Sequence, residues 1–185
     1  VIQSNINSFG SLAMAGIGTY TKIEGFAFLP ITSFMMALTT FVSQNRGAKE
    51  YERARKGAHF GLVCSVSLAE TIGVLIALFA APLMRLFVDD PQVIQYGVER
   101  AHYATILFFM LAYSHGVSAV LRGVGKSVVP MVVMLMCWCL VRVTLLTMLN
   151  MLFHNILFVY LIYPFTWSLS SIVFFLYYRK INWQE

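Results

Sequence analysis

The sequence predicts an all-α, polytopic membrane protein, and three observations predict it. Five long apolar stretches follow one another, near Ile23–Val42, Phe60–Leu86, Ala101–Leu121, Val128–Leu152 and Ile156–Tyr178. Each is long enough to cross a hydrocarbon core of about 30 Å, which takes about 20 residues as helix. The composition agrees. Hydrophobic residues make up 59% of the chain and charged residues 11%, against about 25% charged in an ordinary soluble domain. Finally, the basic residues gather in alternate loops, as they do when successive helices cross in opposite directions.

The elements follow in order. Residues 1–8 read as the tail of a span that begins upstream of Val1. Ser8-Phe9-Gly10-Ser11 breaks it from the next span, expected over 14–43 with a kink at Pro30. Asn45-Arg46-Gly47-Ala48 ends that span, with Gly47 suited to a left-handed cap. Lys49–Lys56 is expected as a short interfacial helix, with Glu52 and Lys56 paired at i,i+4. Spans are then expected over 58–87, 97–121, 128–151 and 155–178. Asp90 is placed to cap the helix that opens at Pro91. Gly123-Val124-Gly125-Lys126 is a tight turn, Pro130 lies early in the following helix, and Pro82 and Pro164 are further kink candidates. Tyr177, Tyr178, Arg179 and Lys180 close the last span with an aromatic and basic anchor. The chain 1–185 thus reads as five whole spans preceded by a partial one.

Orientation comes from the basic residues. Arg46, Lys49, Arg53, Arg55, Lys56, Arg122, Lys126, Arg179 and Lys180 fall on one side and are nine of the 13 Lys and Arg. That side is expected to be cytoplasmic, with the C-terminus on it. The net charge of +5 reflects this asymmetry. Nucleic acid is excluded as a partner, because no single basic face with interleaved aromatics exists. Membrane lipid is the expected surrounding partner.

No enzyme constellation emerges, and no cofactor or metal site is expected. Cys137 and Cys139 are two apart, so a helix points them roughly 200° away from each other. Gly125-Lys126-Ser127 lacks the upstream glycine of a phosphate loop.

Charged groups inside spans are costly and are candidates for function. Lys22, Glu24, Glu70 and Arg142 are such groups, and His115 joins them as a titratable one. At 1.5 Å per residue, Arg142 and Glu70 lie about 18 Å from the basic side, Glu24 about 28 Å and His115 about 9 Å. Lys22 is close enough to the far boundary to snorkel. Arg142 is too deep for that and must face a carboxylate, water or the protein interior. Glu70 reads equally as a structural partner between helices. Tyr113 lies beside His115, and Met35 belongs to a Met- and Phe-rich set suited to lining an adaptable cavity.

Several of these segments together resemble the multidrug and toxin extrusion (MATE) family. They are Asn7–Gly16, Lys22-Ile23-Glu24-Gly25-Phe26-Ala27-Phe28-Leu29-Pro30, Phe41–Ala48, Leu121–Lys126 and Tyr163-Pro164-Phe165-Thr166-Trp167. Their order covers nearly the whole chain and is similar to the C-terminal half of a bacterial member. The resemblance implies one lobe of a twelve-helix, pseudo-symmetric transporter in the inner membrane, helices seven to twelve. It implies export of small organic, often cationic, substrates by antiport with Na⁺ or H⁺, and an N-terminal lobe as the partner across the cleft. It places Lys22, Glu24, His115 and Arg142 around that cleft and makes Glu70 peripheral. Helix ten around Leu107–Leu121 has no carboxylate, so the coupling ion is left unassigned. Two other readings fit the sequence. One is a lipid-linked saccharide flippase of related design, which calls for a strongly cationic cavity. The other is a non-transporting scaffold subunit, which has no need of mid-membrane charges.

Overall fold

The computed structural model describes residues 2–183. In chain order the elements are α1 (Ile2–Asn7), α2 (Ser11–Gly47), α3 (Tyr51–Leu78), α4 (Ala80–Arg85), α5 (Pro91–Thr105) and α6 (Phe108–Gly123). Then come α7 (Val128–Met134), a π-helical stretch (Leu135–Val141), α8 (Arg142–Phe153) and α9 (Ile156–Arg179). Among the described residues there is no strand. Four helical runs are long and apolar enough to cross a membrane: α2, α3, the continuous run from α7 to α8, and α9. The bent pair α5–α6 makes a fifth if it counts as one span.

Helix α2 is the spine. Its buried residues Ala13, Gly16, Tyr20, Ile23, Ala27, Ile31, Leu38 and Val42 recur at helical spacing. That stripe packs on α3, α5 and α6. The core forms successive layers along the bundle. One gathers Tyr20, Ile23, Ile31, Phe108, Leu111 and Trp167. The next gathers Leu38, Val42, Leu62, Val120, Leu121 and Phe174. The outward faces keep large apolar residues, with Met36, Leu86 and Met151 at least 74% exposed. Such a surface suits hydrocarbon rather than water.

With lipid outside, small residues and hydroxyls bind the helices to one another. Gly16 is the tightest crossing of α2 and α5. A methyl group there would sit 2.6 Å from the Val93 carbonyl oxygen and 2.7 Å from the Tyr96 Cβ. Backbone cannot step aside as a flexible side chain can. Gly16→Val is therefore expected to destabilise the full-length protein by about 1–3 kcal/mol as an overpacking change. Gly18→Val, where the same construction meets nothing within 4 Å, serves as the control. Equal melting temperatures for the two variants would refute this. Between α6 and α9, Ser114 Oγ lies 2.7 Å from Ser170 Oγ and 2.9 Å from Ser171 Oγ. Ser171 Oγ donates to the Met110 carbonyl at 2.7 Å. These three buried hydroxyls thus satisfy one another across the helix interface.

Several local expectations hold. Gly10 has φ 95 and opens α2. Asp90 caps α5, accepting from the Gln92 and Val93 amides at 2.8 and 3.4 Å. Gly125, at φ 83, turns the chain into α7. Glu52 and Lys56 pair at 2.7 Å.

Others are corrected. The left-handed residue after α2 is Lys49, at φ 62, while Gly47 ends the helix without a positive φ. The expected interfacial helix over Lys49–Lys56 is absent, since residues from Tyr51 onward are the first turns of α3. The stretch 58–87 divides at Phe79 into α3 and α4. The stretch 97–121 is two helices bent by 56° around Ile106 and Leu107.

Candidate functional site

The site starts with a change of helical period. In the run from α7 to α8 the buried residues are Pro130, Val133, Cys137, Arg142 and Leu146. Their spacing is 3, 4, 5 and 4. Five residues on a regular α-helix turn about 500°, which would leave Arg142 about 140° off the stripe. The π-helical stretch Leu135–Val141 absorbs the extra residue. Arg142 thereby points inward, on the same side as Cys137, and Cys139 is exposed on the other side.

Arg142 is 7% exposed. Its Nε and Nη2 donate to Thr166 Oγ1 at 3.0 and 2.6 Å. Its guanidinium lies 4.6 Å from the Tyr163 ring centre and 5.2 Å from that of Trp138. Tyr163 and Thr166 come from α9, one helical turn apart, in the Tyr-Pro-Phe-Thr-Trp segment. The Trp138 indole donates to Ser170 Oγ at 3.1 Å, which fixes the platform under the arginine.

A second arginine shares this platform. Arg100 is 2% exposed, the largest fully buried side chain among the described residues. It lies 4.1 Å over Tyr163 and 5.6 Å from the Tyr20 ring centre, and its Nη1 donates to the Tyr160 carbonyl at 3.2 Å. Arg100 is not among the candidates singled out from the sequence, and the structure adds it to the site. A signal was available: Arg100 continues the small-residue stripe Val93, Gly97, Ala101, Ala104 of α5, the face that packs on α2.

Glu24 completes the cluster from α2. It lies one helical turn from Tyr20, whose ring Arg100 faces at 5.6 Å. Neither arginine makes a contact ion pair with Glu24 among the described residues. Three buried polar atoms here, Tyr20 Oη, Glu24 Oε1 and Arg100 Nε, have no hydrogen-bond partner among the described residues. Buried polar atoms are nearly always satisfied, so such a concentration makes this cluster the candidate site.

The remaining candidates divide. His115 is 8% exposed, with its ring 4.9 Å from Phe28 and 5.0 Å from Trp138, both edge to face. Trp138 thus stands between His115 and Arg142. Neither ring nitrogen of His115 has a hydrogen-bond partner among the described residues. Lys22 is exposed and, two residues before Glu24, lies about 200° around α2 from it. Glu70 stands apart and is structural: its Oε2 accepts from the Phe109 amide at 3.0 Å. The bend between α5 and α6 frees amides at the start of α6, and a carboxylate from α3 caps them. Tyr113 packs with the Val120 and Phe174 layer. Met35 lines a groove of ≈ 410 Å³ with Thr32, Thr39 and Arg122. No group of three or more metal-ligating side chains occurs among the described residues.

Two other segments singled out in the sequence meet at the basic end. Arg46 Nη1 donates to the Val124 carbonyl, in the turn that carries Gly125. Together with the Arg142 platform, this ties the segments to a shared architecture. The MatE family model matches residues 1–148. The chain belongs to the MatE family. Its similarity to individual relatives is lower. "Probable multidrug resistance protein NorM" of Thermotoga maritima is 30% identical over 124 residues, 67% of this chain and 27% of that protein. "Probable multidrug resistance protein YoeA" of Bacillus subtilis is 24% identical across 100% of this chain and 40% of that protein. A crystal structure of MATE in the bent conformation superposes with a TM-score of 0.89 at 16% identity, covering 98% of this chain and 41% of that one. This MatE chain therefore spans between 27% and 41% of the length of those three proteins. Its fold is an all-α lobe of a multi-pass membrane protein.

Proposed function

We propose that this MatE chain is one lobe of a multidrug efflux transporter, paired with an N-terminal lobe in a bacterial inner membrane, and that it couples export of small organic substrates to cation entry rather than catalysing a reaction. The observation that supports this most is the Glu24 cluster. Two guanidiniums, each held by hydrogen bonds and aromatic faces, share the Tyr163 ring, and Glu24, whose buried Oε1 has no partner among the described residues, lies one helical turn from Tyr20, which Arg100 also faces. Arginine stays charged at any working pH. Glu24 is therefore the member whose charge can change. A proton suits this position better than Na⁺. The proton bonds to the carboxylate itself, whereas a sodium ion needs several oxygen ligands beside two fixed cations. Lys22 and His115 border the cluster without entering it, and Met35 faces a separate groove.

The test is ion-driven dye efflux by the full-length transporter in liposomes, with a proton gradient and a Na⁺ gradient imposed separately. Efflux driven by the proton gradient is expected. Absence of efflux under both gradients would reject the antiport reading, and efflux under Na⁺ alone would reject the proton.

The basic ends are assigned to the cytoplasm. Glu52 and Gln92 are both exposed and lie at opposite ends of the lobe's helices. In a background with Cys64, Cys137 and Cys139 replaced, Glu52→Cys should be shielded from an impermeant thiol reagent in intact cells, and Gln92→Cys should react. The reverse pattern would invert the topology.

A further inference from the structure

The first turns of α3 carry a stripe at helical spacing: Glu52, then Arg55 and Lys56, then His59 and Phe60, then Val63. The stripe faces the end of α9 and the residues just beyond it, and together they enclose a cavity of ≈ 980 Å³. The wall is graded along the helix axis. Arg55, Lys56 and His59 come first along α3, and Phe60 and Val63 follow toward its apolar middle. Arg55 to Val63 covers about 12 Å of rise, the distance from headgroup level into the acyl region. Phe60 is 71% exposed and Val63 51%, so the deeper wall opens sideways.

The facing wall has the same grading. Arg179 supplies charge, and Tyr178 and Trp183 supply aromatic rings that meet edge to face at 6.3 Å. Amphipathic rings of this kind settle at a membrane interface. Glu52 and Lys56 neutralise each other across 2.7 Å, so Arg55 and Arg179 give the rim its net positive charge.

We propose that this cavity seats an anionic phospholipid, its phosphate held by Arg55 and Arg179 and an acyl chain lying against Phe60 and Val63. A soluble anion would use the charges and leave the deeper apolar wall unused. A zwitterionic lipid would use the apolar wall and gain little from the net charge. An anionic lipid uses both, and basic pockets between helices at this level are where such headgroups bind. The proposal is independent of what the lobe transports.

The test is the melting temperature of the full-length transporter in detergent. Phosphatidylglycerol, phosphatidylcholine with the same acyl chains, and inorganic phosphate are titrated separately. A ligand that binds the folded state raises the melting temperature. Phosphatidylglycerol is expected to raise it at concentrations where phosphatidylcholine does not. The double variant Arg55→Gln/Arg179→Gln is expected to lose that extra rise, and Arg55→Lys/Arg179→Lys to retain most of it. Both arginines are exposed and remote from the Glu24 cluster, so the variants should fold. Equal rises with the two lipids, or an undiminished rise in the double Gln variant, would overturn the proposal. An equal rise with inorganic phosphate would overturn the lipid assignment and leave a free-anion site.

Discussion

Glu24→Gln in the full-length transporter should reach the membrane at the wild-type level and export at least about tenfold more slowly, a loss of about 1.4 kcal/mol or more in the driving step. Glutamine has the shape of glutamate and cannot change its charge. It imitates the protonated carboxylate, a state that the proposed cycle visits, so folding should survive. What is lost is the alternation. Arg100 and Arg142 remain fixed on Tyr163, Thr166 and the Tyr160 carbonyl, and the cluster keeps one charge throughout. Glu24→Asp, which titrates but reaches less far, should retain part of the activity. Transport assays on purified protein in liposomes, with quantified membrane levels, would decide the matter. Wild-type export of several substrates by the Gln variant would reduce Glu24 to a structural counter-charge.

Arg100→Ala is the variant expected to damage the fold most. Truncating a large, fully buried side chain to alanine costs about 3–5 kcal/mol through lost packing and the cavity left behind. Here the loss includes a fully buried side chain, the bond to Tyr160 and the face of Tyr163. Arg100→Lys should rescue little, since a point-like ammonium does not stack as a planar guanidinium does. Part of the damage is electrostatic, since the cluster loses one of its two positive charges. Adding Glu24→Gln to Arg100→Ala should therefore recover stability, and the double variant should melt higher than Arg100→Ala alone. Strict additivity of the two substitutions would show that they are not electrostatically coupled. Arg142→Ala should lower both membrane level and export, because Thr166 and Trp138 lose their shared partner with it.

The helical lobe was legible because its signals are long and redundant. An apolar run of over 20 residues, a capping Asp90 before Pro91, and glycines at the chain reversals each speak locally. Glu24 and Arg142 were legible because a charge inside an apolar run is conspicuous. Arg100 was hidden by its surroundings: Glu99, His102 and the nearby Asp89-Asp90 make the segment look like a wet loop. Only the small residues at every third or fourth position mark its buried face. The bend between α5 and α6 left less trace. No proline or glycine stands between Ala101 and His115, and the break is sustained by a carboxylate 39 positions away, Glu70 on α3. A tertiary cap of that kind has no local signature. The fivefold step from Cys137 to Arg142 was visible in principle, but nothing in sequence says which residues on an all-apolar helix face inward.

That step has a bearing on how the segment tolerates insertions and deletions. The run from α7 to α8 is two reading frames spliced within a single continuous helix, one that sets Val133 and Cys137 inward and another that sets Arg142 and Leu146 inward. The splice lies in Leu135–Val141. Loss of one residue there would let the helix straighten into a uniform α-helix and leave both inward sets aligned, whereas the same loss on either side would turn one set toward the lipid. For this span, a change in length is first a change in which way its arginine looks.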